Sequence, residues 1–440
     1  LESFDVLIVG AGAAGVAAAA ALAHRGRTVC VLEARDRVGG RILTRHEPDF
    51  AVPLELGAEF IHGYAPSTLA LLQRSRTPVT SCPRSRWILQ DGRLQASKNL
   101  FAELRHALDS VPRPECDMAF GDFLEGPACA EISGPAKRLA RMLVEGFDAA
   151  DPSQVSALDT LAAWHGESAA DAPAFRPQQG YGSLIRAMSG ALDPDKVQLR
   201  LQTVVSEVRW RRGSVTILGM QHGQPVRAVA PRAVITLPVS VLQLTSGSPH
   251  AVRFVPELTA KRAALSKLAA GPAIKVLLRF REPFWEKIDG GQYRDAAFFQ
   301  APAAIFRTFW TSLPGRAPLL SAWTAGPNAS SLSGSKVADV IGAALDSAQA
   351  LFGERAGVRS RLQAAYLHDW QTDPFALGAY SYVLVGGMAA RRSLATPIEE
   401  TLFFAGEATD TTGWSATVEG ALQSASRAVG ELLSSSSQPA

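Results

Sequence analysis

Short apolar runs recur along this chain, each stopped by glycine, proline or charge, and the spacing between them predicts the elements. The first run, Phe4 to Val9, ends at Gly10-Ala11-Gly12-Ala13-Ala14-Gly15. An alanine-rich stretch continues to about Arg25, and a second run, Thr28 to Leu32, stops at Glu33. Strand, glycine-rich turn, helix and strand in that order predict a βαβ unit with a dinucleotide fingerprint in its first turn. Gly10 allows the tight turn, Gly12 lets the backbone approach a pyrophosphate, and Gly15 lets the helix pack close to the strand. The helix N-terminus offers free N–H groups to phosphate, and Glu33 at the strand tip is placed for ribose hydroxyls.

Further along, Val197–Leu201, Val204–Val208, Val215–Leu218 and Arg232–Leu237 read as strands, as do Ala273–Phe280 and Phe306–Thr311. Helical patterns cover Leu100–Leu108, Lys137–Gly146 and Val337–Leu351, and Trp87 sits in a short strand. Near the end, a buried-looking strand, Leu402–Ala405, meets Gly406-Glu407, and a small-residue helix runs to about Leu433.

The chain has 440 residues and 47% hydrophobic content, enough for a large core and for two domains. Its 44 basic and 41 acidic residues leave a net charge of +3 with no long basic block, so nucleic acid is not implied. Cys30, Cys82, Cys116 and Cys129 lack metal-ligand spacing and read as free thiols. No apolar run reaches membrane-spanning length. Abundant Ala and an excess of Arg over Lys suggest a bacterial, high-GC origin. The start at Leu1 without Met is compatible with a removed leader. The expected location is the cytoplasm, with the periplasm or secretion as the alternative.

After Glu33, Ala34-Arg35-Asp36-Arg37-Val38-Gly39-Gly40-Arg41 leads into a second glycine-rich turn carrying an arginine. A surface turn with a charged rim is one reading. The other is a flavin dinucleotide, held along its whole length by extra backbone and guanidinium contacts. With Gly39-Gly40-Arg41, the segment Leu56-Gly57-Ala58-Glu59-Phe60-Ile61-His62-Gly63 and the closing Gly406-Glu407 segment, the chain resembles the flavin-dependent amine oxidases, nearer the polyamine oxidase branch. The resemblance spans essentially the whole chain. It implies an α/β, two-domain flavoprotein: a Rossmann-like FAD-binding domain from residues 1–80, 191–245 and 396–440, interleaved with an α+β substrate domain from 81–190 and 246–395.

The resemblance also assigns roles. Gly10, Gly12, Gly15, Glu33, Ala34, Arg35, Gly39, Gly40, Arg41, Leu56, Gly57 and Ala58 would contact FAD. Glu59 would be a ribityl or loop contact. Val205 matches a residue whose backbone pairs with adenine; a plain core strand residue is the other reading. Gly406 and Glu407 would touch the ribityl and pyrophosphate region, and a helix start near Ala416–Thr417 would face the flavin pyrimidine edge. Lys275, inside an apolar strand and followed by Pro283-Phe284-Trp285, would hold a water against flavin N5, although such a lysine is ordinarily an edge residue reaching solvent. Trp370 would lie near the isoalloxazine, and Tyr380 would form one aromatic wall for the amine. The second wall becomes Thr417. Ala379 stands where monoamine oxidases carry the cysteine that bonds FAD, so the flavin is expected to be non-covalent.

His62 could exchange a proton near neutrality, and Glu145 or Asp148 could hold a distal ammonium. The activity implied is hydride transfer from the carbon alpha to an amine to N5, imine hydrolysis to aldehyde, and reoxidation by oxygen with release of peroxide. The partners are a small amine, polyamines favoured, and O2. No metal is required, and the oligomeric state is open. The alternatives are another flavin enzyme of this fold (an L-amino-acid oxidase using Arg86 or Arg307, a porphyrinogen oxidase, a desaturase) or a non-catalytic flavin-bound interaction protein. An NAD-dependent dehydrogenase is disfavoured by the second glycine turn.

Overall fold

A computed structural model describes residues 3–97, 100–166 and 172–435; the C-terminal residues 436–440, most of the Ser-rich tail, lie outside them. The first apolar run forms the strand Val6–Val9, flanked in parallel by Val29–Leu32 and Arg232–Ile235. Val197–Arg200 and Leu402–Phe404 complete a five-stranded parallel sheet. Both faces of this sheet are covered, which is why its strands read as unbroken apolar runs. Val6, Ile8, Val29, Val31, Val234 and Phe403 face the helices Ala13–His24 and Val418–Ser434. The alternate residues, Leu7, Val9, Cys30, Leu32, Ile235 and Phe404, face a second sheet built around Thr203–Arg211 and Ser214–Gln221.

The alanine content of the first helix has a packing reason. Ala18, Ala19 and Leu22 meet Leu422, Ala425 and Ala428 of the closing helix in one cluster, and small side chains let the two helices lie close. Helix Gly182–Gly190, expected with the substrate domain, packs Leu184, Ile185 and Met188 into this same core. Strand Gln224–Ala230 was not legible in the sequence. Its Pro225 and weak alternation conceal it, and it forms by folding back on Ser214–Gln221 through His222-Gly223, both in the left-handed region.

The seven-stranded sheet positions the chemistry. Its order is Leu362–Asp369, Ala273–Phe280, Leu319–Ala325, Thr308–Thr311, Phe298–Gln300, Arg86–Gln90 and Arg93–Ser97. Side chains alternate between its faces. Ile274, Val276, Phe299, Phe309, Leu320 and Ala322 pack with helix Val337–Phe352 into a dry core, joined by Trp87. The opposite face carries Lys275, Trp323, Thr308, Trp310, Phe298, Gln300 and Arg86, and all seven line one cavity. Register explains the set: Lys275 lies opposite Trp323, Trp323 opposite Thr308, and Phe298 opposite both Trp310 and Arg86.

No helix among the described residues is long and apolar enough to cross a membrane. The four cysteines are unpaired.

Candidate active site

A cavity of about 470 Å³ runs from the fingerprint turn of the parallel sheet to the polar face of the seven-stranded sheet. At the first end, Gly10 has φ +102°, a conformation glycine adopts freely. A Cβ on Gly15 would lie 1.9 Å from the Gly10 carbonyl oxygen, so the close turn requires glycine there. A Cβ on Gly12 would meet no protein atom within 4 Å, and Gly12 lines the cavity, so its open side faces space a ligand can fill. The second glycine turn lies directly on the first: Gly39 N–H donates to the Ala11 carbonyl at 2.8 Å, and Gly40 lies against Gly12.

Glu33 is buried at the strand tip. Its Oε2 accepts from Ala11 N–H at 2.7 Å and its Oε1 from Arg35 N–H at 2.9 Å. The Arg35 guanidinium is paired with Asp373 and lies over the Phe375 ring. Ala34 and Val205 also line the cavity, Val205 beside a β-bulge. Gly15 and Leu56 are absent from the cavity wall. Gly15 packs against the turn, and the Leu56 carbonyl accepts from Trp370 Nε1 at 3.0 Å, fixing that ring.

Arg41 ties the two glycine-rich ends of the chain together. Its Nη1 donates at 2.8 Å both to Glu407 Oε1 and to the Ala379 carbonyl. Glu407 Oε2 accepts from Ser381 Oγ at 2.7 Å and from Ala416 N–H at 3.2 Å. Burial alone would raise the Glu407 carboxyl; Arg41 and Arg391 outweigh it and hold it below the ordinary range. Gly406 and Ala416 both line the cavity, Ala416 in the left-handed region at φ +64°. Thr417 caps the closing helix: its Oγ1 accepts from Gly420 N–H at 3.0 Å and donates to the Trp414 carbonyl at 2.6 Å. That helix start, through Val418 and Ala421, faces the cavity with its positive dipole end.

At the far end Lys275 is 1% exposed. Its Nζ donates to Glu59 Oε2 at 2.6 Å and to the Gly57 carbonyl at 3.3 Å, and lies 5.1 Å from the Trp310 ring centre. Glu59 also accepts from Arg176 at 2.8 Å and from Trp310 Nε1 at 2.9 Å. Burial opposes the ionised Glu59, but Lys275 and Arg176 hold its carboxyl below the ordinary range. Gly57, Ala58 and Glu59 line the cavity, and the Glu59 carboxylate accepts from Lys275, Arg176 and Trp310. Sequence reading found Lys275 and Glu59 separately and missed their pairing, together with Arg176, Trp310 and Trp323.

Tyr380 and Trp370 both form cavity wall. Tyr380 Oη donates to the Phe147 carbonyl at 2.6 Å, and burial pushes its phenol up. His62 stands edge-on to Phe147, ring centres 5.3 Å apart. Burial, reinforced by Arg86, lowers its pKa to about 4, so the near-neutral proton exchange expected of it does not match its surroundings. Asp148 lines the cavity, with Oδ2 accepting from Trp164 Nε1 at 3.0 Å, and burial raises its carboxyl to about 7. Glu145 instead pairs with Arg307, and neither lines the cavity. Among the described residues no cluster of three His, Cys, Asp or Glu could hold a metal.

A fingerprint cavity that opens onto a polar sheet face with one buried, paired lysine is the architecture of a two-domain flavoprotein oxidoreductase. Residues 13–433 match the family described as flavin containing amine oxidoreductase, and the chain belongs to that family. Among curated proteins it is 28% identical to lysine-specific histone demethylase 1 homolog 1 of Oryza sativa subsp. japonica, covering 96% of this chain but 51% of that protein. It is 26% identical to polyamine oxidase 4 of the same plant, covering 92% and 83%. Among solved structures, a wild-type putrescine oxidase bound to putrescine shares the fold at TM-score 0.81 and 21% identity, over 98% of this chain and 99% of that one. Cyclohexylamine oxidase from Brevibacterium oxydans IH-35A does so at 0.79 and 22%, over 99% and 100%. The chain is an amine oxidoreductase and a flavoprotein.

Proposed function

We propose that the chain binds FAD non-covalently and oxidises a primary or secondary amine with oxygen as acceptor. The observation that carries this reading is the continuity of one cavity from Gly12 and Glu33 to Lys275, Tyr380 and Trp370. The fit of FAD rests on this chain's own features. Gly12 leaves room where a Cβ would intrude, two helix N-termini face the cavity, and Glu33 lines it at the tip of its strand. None of the four cysteines lines the cavity, and Ala379 does, which supports non-covalent attachment.

When bound, FAD would supply the redox chemistry, accepting a hydride from the carbon next to the amine nitrogen while the nitrogen gives up a proton, and passing two electrons and two protons on to oxygen as hydrogen peroxide; the imine would hydrolyse to aldehyde. The chain's residues bind, orient and exclude water. Trp310, Trp323, Tyr380 and Phe147 wall the amine end. A neutral His62 adds no positive charge there, and the Asp148 carboxyl, raised to about 7 by burial, ionises against an entering ammonium. Lys275, locked by Glu59, is assigned the ordering of a water beside the ring system. Polyamines stay among the substrates to be tried, since curated relatives include polyamine oxidases. The test is acid precipitation of the purified yellow protein, followed by a peroxide assay with amines. FAD released intact into the supernatant and amine-dependent peroxide are expected; flavin retained on the pellet, or no peroxide from any amine, contradicts the reading.

A further inference from the structure

Of the arginines on the cavity wall, Arg35 pairs with Asp373 and Arg41 with Glu407, while Arg391 donates to Ser381 and Arg84 to the Ala172 carbonyl; Arg176, beside the wall, pairs with Glu59. Arg86 projects from the strand Arg86–Gln90 onto the cavity face of the seven-stranded sheet. Its guanidinium lies between two phenyl rings, 4.2 Å from the centre of Phe101 and 4.6 Å from that of Phe298. Among the described residues no carboxylate pairs with it and no oxygen accepts from it. Its titratable neighbours are Arg84, of like sign, and His62, which burial keeps neutral. Burial and Arg84 lower its pKa to about 10, so it stays protonated at neutral pH. Ring faces attract a cation but do not neutralise it, so a part-buried guanidinium with no carboxylate partner among the described residues keeps its demand for an anion. Its planar fork suits a carboxylate.

Arg86 stands far from the reacting end. Four strand-to-strand steps separate it from Lys275, roughly 19 Å between backbones at ~4.8 Å a step, which the two long side chains shorten. Between the ends lie His62 and Phe147, and next to Phe147 is Asp148, beside Tyr380. The cavity therefore carries a titratable acid near the amine end and, at the other, a cation with no carboxylate partner among the described residues. We propose that Arg86 is a specificity-determining residue that binds a carboxylate carried by the substrate several bonds from its amine, so that the preferred substrates are elongated ω-amino carboxylates. An α-amino acid, with carboxylate and nitrogen on one carbon, does not span the two ends. A polycation would place a charge of the wrong sign against Arg86.

The inference rests on the amine-oxidase reading, and the test separates the two. Anaerobic flavin reduction is followed with ω-amino carboxylates, α,ω-diamines and n-alkylamines of matched length, using wild type, Arg86→Met and Arg86→Lys. The expected result is a wild-type preference of about tenfold or more for the carboxylate over the diamine at one chain length. Arg86→Met lowers the carboxylate-to-alkylamine ratio about tenfold or more, and Arg86→Lys restores part of it. Matched aliphatic carboxylates without an amine compete with substrate in wild type and lose that competition in Arg86→Met. Wild-type preference for the diamine, or equal effects of Arg86→Met on all three series, overturns the inference alone. Failure of every amine to reduce the flavin overturns the amine-oxidase reading and the inference with it.

Discussion

Replacing Glu59 with glutamine removes the charge against which a buried lysine rests, and the surroundings of each partner make the consequence asymmetric. Lys275 Nζ and Glu59 Oε2 are 2.6 Å apart, an attraction of about 6 kcal/mol at an effective dielectric of ~20, offset by the desolvation of both groups. In Glu59→Gln the lysine keeps a neutral amide oxygen and the long 3.3 Å contact to the Gly57 carbonyl. An uncompensated charge at 1% exposure is then expected to cost about 3–5 kcal/mol. In Lys275→Met the carboxylate keeps Arg176 at 2.8 Å and the Trp310 indole at 2.9 Å, while a methionine fits the apolar strand. The loss there is about 1–2 kcal/mol. The double variant should cost less than the sum of the two by about 2 kcal/mol. Equilibrium urea unfolding of flavin-stripped protein, followed by tryptophan fluorescence, measures all three. If Lys275→Met costs as much as Glu59→Gln, or if both cost under ~1 kcal/mol, the network described around Glu59 is wrong.

Other outcomes follow from single positions. Gly12→Ala meets no protein atom, so the chain should fold normally yet lose flavin affinity by about tenfold or more, read as bound flavin per protein. Gly15→Ala forces a Cβ to 1.9 Å from a carbonyl, so it should lower the melting temperature of the flavin-free chain where Gly12→Ala does not. Burial holds the Asp148 carboxyl at about 7, so the folded chain keeps a proton that the unfolded chain releases, and stability falls as pH rises from the ordinary aspartate range to that value. Asp148→Asn should therefore melt higher than wild type at about pH 8, with the gap closing near pH 4. Arg41→Met severs the link between the two glycine-rich ends and frees the Glu407 carboxyl to rise; flavin should dissociate faster, measured by its fluorescence on dilution.

What could be read from the sequence was what depends on neighbours along the chain. The βαβ unit was legible because strand period, glycine spacing and a terminal acid all lie within the first few dozen residues. The strand Ala273–Phe280 was legible to the residue, because an apolar run between Pro272 and a charged turn allows little else. The partner of Lys275 was not legible: Glu59 stands 216 residues away, and the register of the seven-stranded sheet with the loop after Gly57 brings them together. The lowered pKa of His62 was not legible for a related reason, since it comes from burial and from Arg86, another distant contributor. Thr417 lines the cavity and its hydroxyl also caps the closing helix; a threonine just before an apolar run carried the capping signal.

The most direct test of amine oxidation is an anaerobic titration of the flavin-loaded protein with amines, watching the visible flavin band. The account predicts that at least one aliphatic amine bleaches the band stoichiometrically, that admitting oxygen restores it with release of peroxide, and that Tyr380→Ala slows the bleaching. A flavin that is bound and intact but stays oxidised with every amine would contradict it.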